Sequence, residues 1–340
     1  MGKLRARACI AAFVLVTVGA HAQQKAPLVV EKTIPLPSFG DGDFDHFAAD
    51  VQGQRLFLAA EDNHAVVILD LNAGKPVHTI SDVKAPHSMV YRPDVKQLFV
   101  VDGGVGKVKI YDSDSFKPIG SIDLKLDADS MVYEPSTKYM YVVNGGKDAD
   151  LTYSFISVVD TTAQKNLADI KVDSDAVEAL AIEKSGPRLF ANLTGKDAVG
   201  VIDRQKHTII TTWPTGQVAK HLVAMGFDEA GHRLFVTARN PGKLIALDTD
   251  SGKVVTSLDC VSNNDDMAYD SASKRIYVSG TGEIDVFQQK DADHYVSIGK
   301  VPGAYRARTS ILVPEWSRYY LAVPHHGATT AGVRIYKVMP

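Results

Sequence analysis

Cysteine is almost missing from this chain of 340 residues, which has two, Cys9 and Cys260. A disulfide framework and a cysteine-ligated metal centre both need several thiols at set spacings, so both are excluded. The G-x-S-x-G elbow and the H-E-x-x-H pair are absent as well. A serine hydrolase of that type and a zincin therefore lack their machinery. Tryptophan is as scarce as cysteine. Beyond residue 22 no apolar run approaches the ~20 residues of a membrane-spanning helix. No linker-like stretch divides the chain, and helical periodicity is lacking throughout.

What is present is an ordinary globular composition, 45% hydrophobic and 23% charged, enough for a sizeable core. The first residues, "MGKLRARACIAAFVLVTVGAHA", set Lys3, Arg5 and Arg7 before an apolar run and end in Ala20-His21-Ala22. That is the pattern of a Sec-type signal peptide over residues 1–22, which predicts a mature chain starting near Gln23 in the periplasm or outside the cell. Removing it leaves Cys260 as the single thiol and 34 basic residues against 40 acidic ones. The surplus of negative charge opposes phosphate-backbone binding, and no nucleic-acid partner is expected.

Residues 23–340 read as a single domain because they repeat. "DHFAADVQGQRLFLAAEDNHAVVILDLNAGKPVHTI" begins at Asp45, "PHSMVYRPDVKQLFVVDGGVGKVKIYDSDSFKPIGSI" at Pro86 and "DADSMVYEPSTKYMYVVNGG" at Asp127. Further copies start at Ala179, Lys220, Asp265 and Arg308, which makes seven. Each copy runs through short strands rich in β-branched and aromatic residues, separated by polar turns, every ~40 to 50 residues. The expected fold is all-β, a seven-bladed β-propeller with four-stranded blades. The seventh copy stops after its third strand at "GVRIYKVMP", whereas "LVVEKTIPLP" at residues 28–37 is a strand without a blade. This N-terminal strand is expected to complete the last blade and so remove an open edge.

The segments "LFVVDGG", "MYVVNGG", "LFVTARN" and "IYVSGTG" resemble the Tyr-Val-Thr-Asn motif of the YVTN-repeat, or YncE-like, propeller family. The resemblance spans about residues 28–338. It implies the propeller fold and includes exported or surface-associated proteins. Since propellers host many activities, it does not specify a function.

Several local patterns resolve into structure. "DGGVGK" at 102–107 leads into a strand, "KVKIYD", and reads as a hairpin loop rather than a phosphate loop. "DTDSGK" at 248–253 lacks the spacing and the bidentate acid of a calcium loop and reads as a turn. The sequon "NLT" at Asn192–Thr194 is too short to carry weight. Trp213 and Trp316 read as packing residues.

The start of the innermost strand is different, because equivalent positions there ring one mouth of the central channel. Aligning the copies places His46, His87, Asp129, Glu178, His221, Asp266 and Arg308 in this ring, with Asp45 and Asp265 adjacent. The match at His221 is two places early. Loops opening on the same face bring His64, His325 and His326 toward it.

Imidazole with carboxylate is a mixed donor set for a divalent transition metal, with His46, His87, His221, Glu178 and Asp266 as candidate ligands. A small polar or anionic ligand would meet Arg308 as a bidentate clamp, with Asp129 and Asp265 beside it. Three readings stay open. The ring is a polar lining for water, a ligand or metal site of a binding protein, or the centre of a metal-dependent hydrolase or oxidoreductase with Glu178 or Asp266 as general base. A protein partner on the rim is a further role for such a scaffold, and the expected state is a monomer.

Overall fold

The computed structural model describes residues 26–340, so the leader at residues 1–22 lies outside the described part. Short runs rich in β-branched and aromatic residues form twenty-eight strands among the described residues, paired into seven four-stranded antiparallel sheets, and the second strand of each blade is buried along nearly its whole length. The innermost strands are Phe47–Asp50, Pro86–Arg92, Met131–Glu134, Val177–Ile182, Lys220–Asp228, Met267–Asp270 and Ser310–Val313. They pack side by side around the axis, and the seventh meets the first.

Six repeats pass from first to second strand through a left-handed turn residue, namely Gln54, Lys96, Lys138, His232, Lys274 and Ser317. Left-handed backbone is uncommon outside glycine, so its return at one repeat position marks a turn set by geometry.

Apolar side chains of each blade pack on the next, giving seven cores, one in each interface between neighbours. Trp213 lies in the core between blades 4 and 5 against Phe190, and Trp316 packs edge-on to Tyr320. Both tryptophans are packing residues, as their turn positions implied. The ring closes through Leu28–Pro35, which pairs antiparallel with Gly332–Val338 and buries Leu28 and Ile34. The fold class and its closing strand match the sequence expectation. Among the described residues no helix is long and apolar enough to cross a membrane.

Candidate functional site

Backbone register fixes which residues share the mouth. Asp45, Asp129 and Asp265 each donate their N–H to the second strand of their own blade, at Ala59, Val143 and Ser279. The next residues, His46, Ser130 and Asp266, accept from the same three partners. In blades 2, 4 and 5 the pairing skips from Pro86 to Met89, from Val177 to Leu180 and from Leu222 to Met225. His87, Glu178 and Val223 sit on these bulges.

The upper ring is therefore Asp45, His87, Asp129, Glu178, Val223, Asp265 and Arg308. His46 and Asp266 stand one residue deeper, level with Ser130. This corrects the sequence alignment in three blades. In blades 1 and 6 it chose His46 and Asp266 over their neighbours, and in blade 5 it chose His221 where Val223 stands. His221 is exposed, left-handed at φ 60°, and gives its N–H to Asp197 Oδ1 at 2.8 Å. Partial desolvation of its ring and the nearby Arg239 hold its imidazole below the usual value. It does not line the mouth cavity, whereas Val223 does.

The other outlying histidines are engaged elsewhere. His64 bonds to the Lys84 carbonyl, His325 Nδ1 lies 2.5 Å from Asp41, and His326 stacks on Tyr305.

Neighbouring blades hold the ring in place. Ser130 Oγ donates to the Glu178 carbonyl at 2.5 Å, Ser279 Oγ to that of Arg308 at 2.5 Å, and Thr309 Oγ1 to that of Phe44 at 2.7 Å. The "NLT" segment does the same work. Asn192 Nδ2 reaches the Val223 carbonyl at 2.9 Å and Thr194 Oγ1 the Leu222 carbonyl at 2.6 Å. Both side chains are buried, so this sequon is a brace for the bulge. Bulges commonly re-aim side chains beside sites, and here the freed carbonyls are satisfied.

The mouth is a cavity of about 590 Å³, continuing into a channel cavity of about 220 Å³ that His46, Glu178 and Asp265 also line. Asp45, His87, Asp129 and Arg308 line the mouth, and Asp266 lines the channel. Glu61, Asp127 and Asp148 join the mouth from the loops, and Arg239 from the end of the strand Arg233–Asn240. The repeat alignment missed these four because only the strand starts keep register. The signal for the three acids was a loop position, as with Glu61, three residues before His64, and that for Arg239 was its place at the end of a second strand.

Polar contacts divide the mouth into two sides. On one side, Asp45 Oδ1 lies 3.4 Å from His46 Nε2 and Asp45 Oδ2 lies 2.5 Å from His87 Nδ1. Asp129 Oδ1 is 3.5 Å from the same His87 nitrogen. Asp266 bonds His46 through Nδ1 at 3.2 Å and accepts the Ser310 N–H at 2.7 Å. On the other side Asp265 pairs with Arg239 and, at 2.9 Å, with Arg308, whose Nη2 meets Asp43 at 3.1 Å. Glu178 has no ion-pair partner among the described residues.

Burial and neighbouring charge shift the protons of this cluster. For Asp45, burial favours the neutral acid, yet His46 and His87 outweigh it and hold the carboxyl at about 2. Burial likewise opposes charge on His87, but Asp129 and Asp45 raise it to about 10. His46 is also lifted well above its usual value against its burial, by Asp45 and Asp266. Asp129 goes up to about 8 through burial and the Asp45 and Glu178 carboxylates, against the pull of His87. Burial takes Glu61 to about 7, and Asp265 to about 6 in spite of its two arginines. Imidazolium beside carboxylate therefore carries the positive charge of this side. A cation that replaces those protons would find oxygen and nitrogen donors already converged.

Two donor sets meet within 4.8 Å, Asp45 with His46 and Asp129, and Asp45 with Glu61 and His87. The sequence candidates His46, His87 and Asp129 are thus brought together, Asp266 stands behind His46, and Glu178 and Arg308 face the same space.

No protein-family model and no curated protein matches the chain. Among solved structures it is similar to a chain of Kuenenia stuttgartiensis hydrazine synthase, at 17% identity and a TM-score of 0.71, over 92% of this chain and 96% of that one. It is also similar to a chain of a mitotic checkpoint complex, at 14% identity and a TM-score of 0.74, over 100% and 99% of the two chains. Likeness at such low identity is likeness of fold, and the fold shared over the whole described length is the seven-bladed β-propeller.

Proposed function

We propose that this chain is an exported binding module of YVTN-repeat type whose propeller mouth holds a divalent transition metal on Asp45, His46 and Asp129. The observation that carries the reading is the convergence of these three donors within 4.8 Å. His46 Nε2 and Asp45 Oδ1 are 3.4 Å apart, close to the about 3.3 Å edge that two donors at about 2.0–2.1 Å make on a tetrahedral ion. Asp266 on Nδ1 fixes the ring that presents Nε2, and His87 fixes the Asp45 carboxylate. Such outer partners orient metal ligands.

Three protein ligands leave a position open to the cavity, where water or a small polar ligand completes the ion. Arg239 and Arg308, both paired with Asp265, line the same cavity and would meet the anionic part of a ligand. Export is supported by the leader at residues 1–22 and is checked by the mature N-terminus, expected near Gln23.

The test is zinc titration of chelator-stripped protein with thermal melts alongside. His46→Ala and Asp129→Asn are expected to weaken zinc binding by at least about tenfold, or about 1.4 kcal/mol, with melting little changed. Wild-type protein that takes up no zinc, or variants that bind as it does, would overturn the proposal.

A further inference from the structure

We infer that the mouth holds two divalent ions rather than one, bridged by the Asp45 carboxylate, with the second ion on Asp45, Glu61 and His87. This rests on the metal-binding reading above and extends it. The two donor sets share a single residue, Asp45. Its two oxygens are already divided between them, Oδ1 toward His46 at 3.4 Å and Oδ2 toward His87 at 2.5 Å. Two-metal sites space their ions by about 3.5–4 Å, a distance that one bridging carboxylate spans.

The seating of His87 points the same way. A Cβ on Gly103 would stand 3.0 Å from His87 Nε2 and Cδ2, so that edge of the ring lies on the Gly103 backbone. The Nδ1 edge is left facing Asp45 and Asp129. His87 is held there with only 13% of its side chain exposed. An ion entering between His87 Nδ1 and Asp45 Oδ2 takes the place of the shared proton, which leaves to solvent. Donors about 2.0–2.1 Å from a tetrahedral ion stand about 3.3 Å apart, so the 2.5 Å contact opens by about 0.8 Å. Glu61, in the loop above, supplies the third donor.

Charge leaves room for the second ion. Seven carboxylates line the mouth against Lys84, Arg239 and Arg308, so two divalent ions that displace the protons held on His46 and His87 meet matching negative charge.

Stoichiometry decides the matter. Chelator-stripped wild type is dialysed to equilibrium against zinc, and bound metal per chain is measured by elemental analysis, with Glu61→Gln beside it and melts of both. Two ions in the wild type and one in Glu61→Gln are expected. One ion in both would overturn the second site and leave the first standing, whereas none in the wild type would remove both. Two ions in both proteins would place the second ion elsewhere and also overturn the inference. Should Glu61→Gln not fold, electron paramagnetic resonance of wild type loaded with Mn²⁺ replaces it. An exchange-coupled pair is expected, and isolated-ion spectra at full loading would overturn the bridge.

Discussion

At the residue scale, His221 and Val223 show how far one side chain's role depends on register. His221 looks like a ring member by type, yet its backbone is left-handed and its N–H is spent on Asp197. The bulge two residues later turns Val223 to the channel. Replacing His221 by alanine should therefore leave zinc affinity within about twofold of wild type. Asp266→Asn, which weakens the hold on His46 Nδ1, should lower it by about 10- to 100-fold, the range for outer-shell changes. Parallel titrations check both, and a His221 variant that loses metal as His46→Ala does would return it to the site.

At the scale of the element, turns of adjacent blades are tied by buried ion pairs on the sheets. Arg204, from the turn ending at Thr208, reaches Glu134 in blade 3 at 2.6 Å and donates to the Glu183 carbonyl at 2.7 Å. Burial pushes the Glu134 carboxyl up, but Arg204 and Thr137 hold it below its ordinary value. A depressed carboxyl contributes stability that is present above its unfolded pKa and lost as pH falls through its folded one. Melting temperature should thus drop on acidification below the ordinary carboxylate range, and Glu134→Gln should be less stable near neutrality, with the gap narrowing in acid. Melts of both proteins across that range test this, and a gap that stays constant with pH would show that the pair does not act as described.

At the scale of the whole molecule, the N-terminal strand closes the ring. Leu28, Ile34 and Leu36 are each at most 2% exposed, and burying such side chains is worth about 1.5–3 kcal/mol apiece. That is a large share of the about 5–15 kcal/mol of a typical domain. Deleting residues 28–37 also strips the partner from Gly332–Val338, leaving an unpaired edge. The truncated protein is expected to melt lower and to aggregate in light scattering. A monomer with an unchanged melting temperature would mean that closure does not depend on this strand.

Blade number, strand identity and the closing strand were legible in the sequence, because each repeat writes the same succession of short β-branched and aromatic runs and polar turns. "DGGVGK" and "DTDSGK" were legible as turns for the same reason. In the second, Asp248 Oδ1 accepts the Ser251 N–H at 2.8 Å, as an Asp-led turn requires. Three bulges and a one-residue offset at the channel were not legible, since they arise from strand pairing and from braces such as Asn192 that belong to another repeat. Tertiary structure alone decided that Asp45 rather than His46 stands level with His87, that Val223 displaces His221, and that Glu61 and Arg239 reach the mouth. Side chains forty or more residues apart converge only when the ring shuts, and their charges and protons are set by that convergence.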